Sequence, residues 1–372
     1  MKTKILPLFL IVFFISCAQQ KENDVEIQPE ERSYEFETVF AEVDIPWGLA
    51  WLPDGSMLVG DKSGEVTLVK EDTSTSITTG FDDLYVRGQG GLLDIQPHPD
   101  YANNGWIYFT YASSQGEGEG GNTKLVRTKL EGTNFTNTEE LYKATPNTTA
   151  GVHFGSRIVF DKEGYVYFTI GDRGNNEENP QDITRDGGKT YRLHDDGRIP
   201  EDNPFVNEEN AKKAIFTYGH RNQQGIDKHP ETGEIWSHEH GPKGGDEINI
   251  HKKGANYGWP VITYGVNYSG TVITEETHKP GMEQPVYYWL PSIAPSGMTF
   301  VTGDKYPEWK GHLLVGALKF QYLELVKLDG EKVVGRQKIA VDIGRLRTVK
   351  MGPDDYIYMG VEGKGIVKII PN

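Results

Sequence analysis

The sequence predicts an all-β protein folded as a six-bladed β-propeller. Strand-like alternation starts near Tyr34 and runs to the end of the chain, broken by Gly, Asp, Asn and Pro clusters, with few long helical stripes. A unit of polar turn, strand, second turn and strand recurs six times at an irregular spacing of roughly 40 to 80 residues, the pattern of propeller blades with variable loops. The 44 glycines and 19 tyrosines suit many short strands joined by tight turns. The competing arrangement is a pair of β-sandwiches.

Residues 1–16 stand apart from that fold. Lys2 and Lys4 give a positive start, and the apolar run 5–15 has the length of a signal-peptide core and is short of a membrane span. Cys17, the only cysteine, follows Ser16 at the end of that run and reads as a lipoprotein cleavage site, with Phe14 where Leu is usual. The alternative is an ordinary secretory signal with a chance cysteine. On the lipoprotein reading the mature chain starts at Cys17, is exported to the periplasm or cell surface and is held to a membrane by its lipid. Its folded part then uses no disulfide although the compartment is oxidising. Residues 17–33 are polar and acidic and read as a flexible tether. Residues 34–372 form the propeller, a single catalytic domain.

The six copies follow in order. The turns are Pro53-Asp54-Gly55, His98-Pro99-Asp100, Asp161-Lys162-Glu163-Gly164, Glu231-Thr232-Gly233, Glu308-Trp309-Lys310-Gly311 and Pro353-Asp354-Asp355. The strands after them lie within 56–69, 106–130, 165–170, 234–250, 312–328 and 356–370. The strand 35–43 is placed to pair with the last blade and close the ring, which removes exposed edges. Long insertions fall at 112–123, 174–215 and 264–290. The first is a Gly/Ser/Glu-rich loop, and the second has room for a short helix at 208–214.

Composition narrows the partners. Charged residues at 25% and hydrophobic residues at 36% are an ordinary soluble mixture. A net charge of −16 argues against nucleic acid, which needs a basic surface, and against docking on an anionic membrane through a basic patch. The chain fits a monomer or a dimer equally.

Chemistry centres on Gly151-Val152-His153-Phe154-Gly155-Ser156-Arg157, which runs into Gly171-Asp172-Arg173-Gly174. A histidine between glycines is little shielded, and a neutral imidazole takes a proton near pH 7. Most loop histidines are solvated bystanders, so the weight falls on the other clusters. These are Arg87-Gly88-Gln89-Gly90-Gly91, Gly219-His220-Arg221-Asn222, Gly241-Pro242-Lys243-Gly244-Gly245-Asp246-Glu247, Asn256-Tyr257-Gly258-Trp259-Pro260, Ser292 with Lys319, and Gly344-Arg345-Leu346-Arg347. Each has a bland reading: Arg345 and Arg347 meet surface carboxylates, Lys319 snorkels, and Asp246-Glu247 is a turn pair. Taken together, Arg221, Lys319, Arg345 and Arg347 are four cations near one axis of an acidic protein. Their mutual repulsion calls for an anionic ligand, and planar Arg forks suit carboxylates. The Gly241 and Pro242 carbonyls are hard donors for Ca²⁺, and the Gln89 and Asn222 amides hydrogen-bond carbonyl or hydroxyl oxygens.

In this order, the motifs Gln-Gly-Gly-Leu-Leu-Asp at 89–94, His-Phe-Gly-Ser-Arg at 153–157, Gly-His-Arg-Asn at 219–222, Gly-Pro-Lys-Gly-Gly-Asp-Glu-Ile-Asn at 241–249 and Asn-Tyr-Gly-Trp-Pro at 256–260 make the chain after Phe36 resemble the soluble pyrroloquinoline-quinone (PQQ)-dependent glucose and aldose sugar dehydrogenases. That resemblance implies a quinoprotein oxidising the anomeric carbon of an aldose to a lactone, with electrons passed to an external acceptor. It implies His153 as the base, Gln89 as an amide on substrate and cofactor, and Arg221 with Asn222 on the quinone oxygens. It implies Lys319, Arg345 and Arg347 on the cofactor carboxylates, Ser292 near the cofactor, Gly241 and Pro242 on its Ca²⁺, and Asp246, Glu247 and Tyr257 at a structural Ca²⁺. Val152 stands where the glucose enzymes carry Asp, so the aldose branch is the better match and the sugar preference stays open. Two other functions compete: a Ca²⁺-dependent propeller lactonase, which needs a carboxylate and amide cage but no cation set, and a non-catalytic propeller that binds a sugar or a protein.

Overall fold

The computed structural model describes residues 25, 27–28 and 33–372. They form six sheets, each built on a four-stranded antiparallel blade; five blades take their strands consecutively from the sequence, and one of these five gains a short fifth strand in parallel at its edge. The blades begin with Pro46–Trp51, Leu92–Pro97, Ile158–Phe160, Gln223–Lys228, Pro295–Phe300 and Leu346–Met351. All six predicted turns join the first strand of a blade to its second, so they share one face of the ring. The opposite face is built from the starts of first strands and the ends of second strands. Five of the six first strands carry a register shift near that end, a device that re-aims side chains beside a site.

Blade six is completed by the other end of the chain. Tyr34–Phe40 pairs with Gly365–Pro371, from Tyr34 opposite Pro371 to Phe40 opposite Ile366, where the sequence predicted a closing strand at 35–43. The apolar faces of neighbouring blades meet in separate cores. Blades one and two join through Leu58, Ile95 and Phe109, and blades five and six through Leu323, Leu346 and Met359. Each core is shared, so a blade has no apolar interior of its own.

Beneath the site, the axis is filled by Arg157, which enters blade three almost fully buried. Its guanidinium donates to the Trp47 carbonyl of blade one at 2.8 Å, the Gln224 carbonyl of blade four at 3.0 Å and the Arg347 carbonyl of blade six at 2.6 Å. Asp94 of blade two, fully buried, lies 3.3 Å away as its counter-charge.

Two expectations change. The predicted helix at 208–214 is a run of turns: Lys213 Nζ donates to the Phe205 and Glu208 carbonyls, and the Asn203 amide takes the Lys213 carbonyl, so side chains claim groups a helix would pair. Among the described residues the only α-helix is the single turn Tyr101–Asn104. Part of the predicted tether is docked: Ile27–Gln28 pairs in parallel with Arg336 and Gln337 at the edge of blade five. The signal segment 1–16 and Cys17 lie outside the described residues.

Candidate active site

His153 sits just upstream of the first strand of blade three, with φ 54° in the left-handed region. Its Nδ1 is 2.6 Å from Asp172 Oδ1. Asp172, almost fully buried just past the second strand of the same blade, also accepts Trp259 Nε1–H at 2.9 Å and Gly174 N–H at 2.8 Å. A carboxylate so supplied with donors accepts a proton bond from Nδ1, which leaves the Nε2 lone pair free. Nε2 has no protein partner among the described residues. Burial pushes His153 below the usual imidazole range; the Asp172 bond opposes this, while Arg221 and Arg173 act with burial. Burial would raise Asp172, but its bond to His153 and the nearby charges hold it below the usual carboxylate range.

The two predicted amides have their oxygens turned to this loop. Gln89 Oε1 accepts His153 N–H at 2.8 Å, and Asn222 Oδ1 accepts Gly155 N–H at 3.1 Å. A main-chain N–H can only meet an oxygen, so both amide orientations are fixed. Their NH₂ groups are what remains to face a ligand, as donors.

Arg221 donates to the Gly241 carbonyl at 3.0 Å and the His240 carbonyl at 3.1 Å, with its guanidinium 5.5 Å from the Trp259 ring centre. Trp259 thus touches both Asp172 and Arg221. From Gly241 the contacts continue around the mouth. Gly241 N–H donates to Asp246 Oδ1 at 2.8 Å, and Asp246 Oδ2 accepts the N–H groups of Ile293 at 2.7 Å and Ala294 at 3.0 Å. Lys319 N–H donates to the Ile293 carbonyl at 3.1 Å, and Arg345 donates to the Leu318 carbonyl at 3.3 Å. Arg345 and Arg347 then share the two oxygens of Glu362, through Nε at 2.7 Å and 3.0 Å, and Arg347 lies 4.3 Å over the Trp47 ring. Burial lowers Arg347 to about 10, against the pull of Glu362.

The bland reading of the arginines is therefore half right, since they do meet a carboxylate. Yet two guanidinia share one carboxylate, and Lys319 has no carboxylate partner among the described residues. The surplus positive charge, with Arg347 lying over the Trp47 ring, suits an anionic ligand with carboxylates.

The predicted metal ligands have the following protein partners. Both oxygens of Asp246 are taken by main-chain N–H groups, so Asp246 braces two loops. The Tyr257 hydroxyl donates to the Ile250 carbonyl and accepts Lys252 N–H at 3.0 Å. Glu247 receives Asn249 Nδ2–H at 3.1 Å; burial, and then the Glu239 carboxylate, push it well above the usual range. Among the described residues no group of three His, Cys, Asp or Glu is placed to hold a metal. The Gly241 carbonyl, half of the other predicted Ca²⁺ pair with Pro242, already accepts from Arg221. Ser292 Oγ accepts Ala294 N–H at 3.2 Å and so serves its own loop.

Sequence reasoning missed Asp172, Trp259 and Glu362 as working residues. For Asp172 a signal existed. Ile158 pairs with Phe168 across the 161–165 turn, and the same register carried outward reaches His153 opposite Arg173, next to Asp172. Nothing local marks Glu362, which meets the arginines only because the second strand of blade six ends beside the first.

A six-bladed ring with an imidazole–carboxylate pair and a surplus of cations at one mouth has the build of a propeller oxidoreductase. The chain belongs to the glucose/sorbosone dehydrogenase family, whose model matches residues 43–368. It is 41% identical over 323 residues to the aldose sugar dehydrogenase YliI of Escherichia coli strain K12, covering 85% of this chain and 87% of that one. The apo-form crystal structure of the soluble aldose sugar dehydrogenase from Escherichia coli superposes with a TM-score of 0.88 at 37% identity, over 91% of this chain and all of that one. The PQQ-bound aldose sugar dehydrogenase of Streptomyces coelicolor superposes with a TM-score of 0.72 at 26% identity, over 92% of this chain and 99% of that one.

Proposed function

We propose that this chain is a PQQ-dependent aldose sugar dehydrogenase that oxidises the anomeric carbon to a lactone. The observation that carries this reading is the His153–Asp172 pair, with Nε2 free, set among more cations than local carboxylates offset. Lys319, Arg345 and Arg347 hold the cofactor carboxylates, and Arg221 with the NH₂ groups of Gln89 and Asn222 donates to oxygens of cofactor and sugar. Bound PQQ would supply the hydride acceptor. His153 Nε2 takes the proton of the anomeric hydroxyl as the C1–H bond is lost, and Asp172 offsets the imidazolium that forms. The sugar thereby loses one proton and one hydride, and the two electrons leave for an external acceptor.

The Gly241 carbonyl accepts from Arg221 and keeps a second lone pair, so with the Pro242 carbonyl it could hold a Ca²⁺ ion, and no step here depends on that ion. A lactonase has no use for the cation set, and a purely binding propeller has no use for an oriented imidazole. The amino-terminal run ending at Cys17 supports export and lipidation, with the enzyme at the periplasmic or cell surface.

The test is a titration of the apoprotein with PQQ, with and without Ca²⁺, followed by absorbance and by aldose-driven dye reduction. Saturable binding and sugar-dependent turnover are expected. No saturable binding with Ca²⁺ present overturns the assignment.

A further inference from the structure

The loop that carries His153 has little backbone support. Among the described residues, the only main-chain to main-chain bond made by residues 149–155 is Gln89 N–H to the Gly151 carbonyl, at 2.8 Å. Most other support comes from side chains, and one of them dominates. Arg173 is 2% exposed and has no carboxylate in ion-pair contact among the described residues. Its guanidinium donates to the Val152 carbonyl, to the Ala150 carbonyl at 2.6 Å and to the Gly121 carbonyl at 3.2 Å. The same group lies 3.4 Å from the Phe154 ring centre. It therefore grips the residues on both sides of His153, while its neighbour Asp172 grips the ring.

We propose that Arg173 is a positioning residue for the base: its planar fork sets the main chain around His153, and its buried positive charge disfavours a second positive charge on that imidazole. Three bonds to carbonyls and one to the Thr148 hydroxyl at 3.3 Å, all from one planar group, are something Lys cannot reproduce, so charge and geometry are separable here. The charged and titratable groups around the His153 ring are Asp172, Arg221, Arg173 and His240. Of these Asp172 alone favours imidazolium. Removing the Arg173 charge makes imidazolium easier to form, so the His153 titration moves to higher pH. Part of the proposal rests on the dehydrogenase reading and part does not.

The experiment compares Arg173→Gln and Arg173→Lys with the unaltered chain. Ring-labelled histidine is titrated by NMR in apoprotein, and kcat, KM and their pH profiles are measured with PQQ and an aldose. Both variants should lose about 10- to 100-fold in kcat, with PQQ affinity within about 3-fold of the unaltered chain. The His153 titration and the acid limb of kcat/KM should rise in Arg173→Gln only. A His153 titration in Arg173→Gln that overlays the unaltered chain overturns the charge role, and an unchanged kcat in Arg173→Lys overturns the positioning role. If Arg173→Gln does not fold, Arg173→Lys decides alone: a lower kcat with an unmoved acid limb supports positioning. If the unaltered chain shows no quinone-dependent turnover, the functional reading fails while the NMR titration of apoprotein still tests Arg173.

Discussion

At the scale of single residues, two surroundings of His153, the proposed base, disagree. Burial and two guanidinia press His153 toward the neutral form, and Asp172 holds Nδ1–H so that Nε2 is the basic atom. Asp172→Asn keeps the shape but can donate to Nδ1, which turns the proton onto Nε2. We expect kcat to fall by about two to four decades in Asp172→Asn and in His153→Ala, with PQQ binding retained in both. Steady-state kinetics beside a PQQ titration checks this, and activity within a few-fold of the unaltered chain would assign the proton to another group. Because His153 is lowered in the folded chain, the acid limb of kcat/KM should lie below the ordinary imidazole value of about 6.5. His153 was readable from its glycine-flanked motif. Asp172 stood in the same stretch but had no assigned role, because the contact depends on hairpin register and no spacing motif announces it.

At the scale of elements, the cation set belongs to strand ends. Arg345 immediately precedes the first strand of blade six, Leu346–Met351, Arg347 lies at the start of that strand, and Glu362 follows the second strand, Ile357–Val361. Glu362 competes with any anionic ligand for both guanidinia. Arg347→Ala should weaken PQQ binding by about one to two decades, since a charge-assisted hydrogen bond is worth roughly 1.5–3 kcal/mol. Glu362→Gln should act in the opposite sense, tightening PQQ at low salt while lowering the melting temperature, because Arg347 is buried and loses its partner. Titration and thermal melting of both variants give the two signs, and Glu362→Gln with weakened binding would show that the carboxylate orients the arginines instead of screening them. The strands and all six turns were legible because period-two patterning and Gly/Asp turns act locally. The expected helix at 208–214 failed because Lys213 and Asn203 capture carbonyls that helical pairing would need.

At the scale of the molecule, the ring depends on one foreign strand. Tyr34–Phe40 covers the edge of Gly365–Pro371 and adds Phe40 to the core shared by blades six and one. A chain beginning after Phe40 should melt well below the full chain and associate through the bared edge, whereas Cys17→Ser should melt unchanged and lose only its lipid and its membrane fraction. Scanning calorimetry, light scattering and lipid labelling separate these outcomes. A truncated chain as stable and monodisperse as the full one would show that the ring closes without that strand. Closure itself was readable, since a lone amino-terminal strand before six repeats has few other places to go.

Arg157 carries a consequence for how such a ring is made. Its guanidinium is satisfied by carbonyls that lie 110 residues before it, 67 after it and 190 after it. A nascent chain that has made only its first three blades would hold that guanidinium with Asp94 in place but with the Gln224 and Arg347 carbonyls still missing, and buried N–H groups left without acceptors are costly. Repeat proteins laid end to end can gain and shed units one at a time. Here the hub penalises any open arc, so completion of the circle is itself the stabilising event, and the last blade to arrive secures the first.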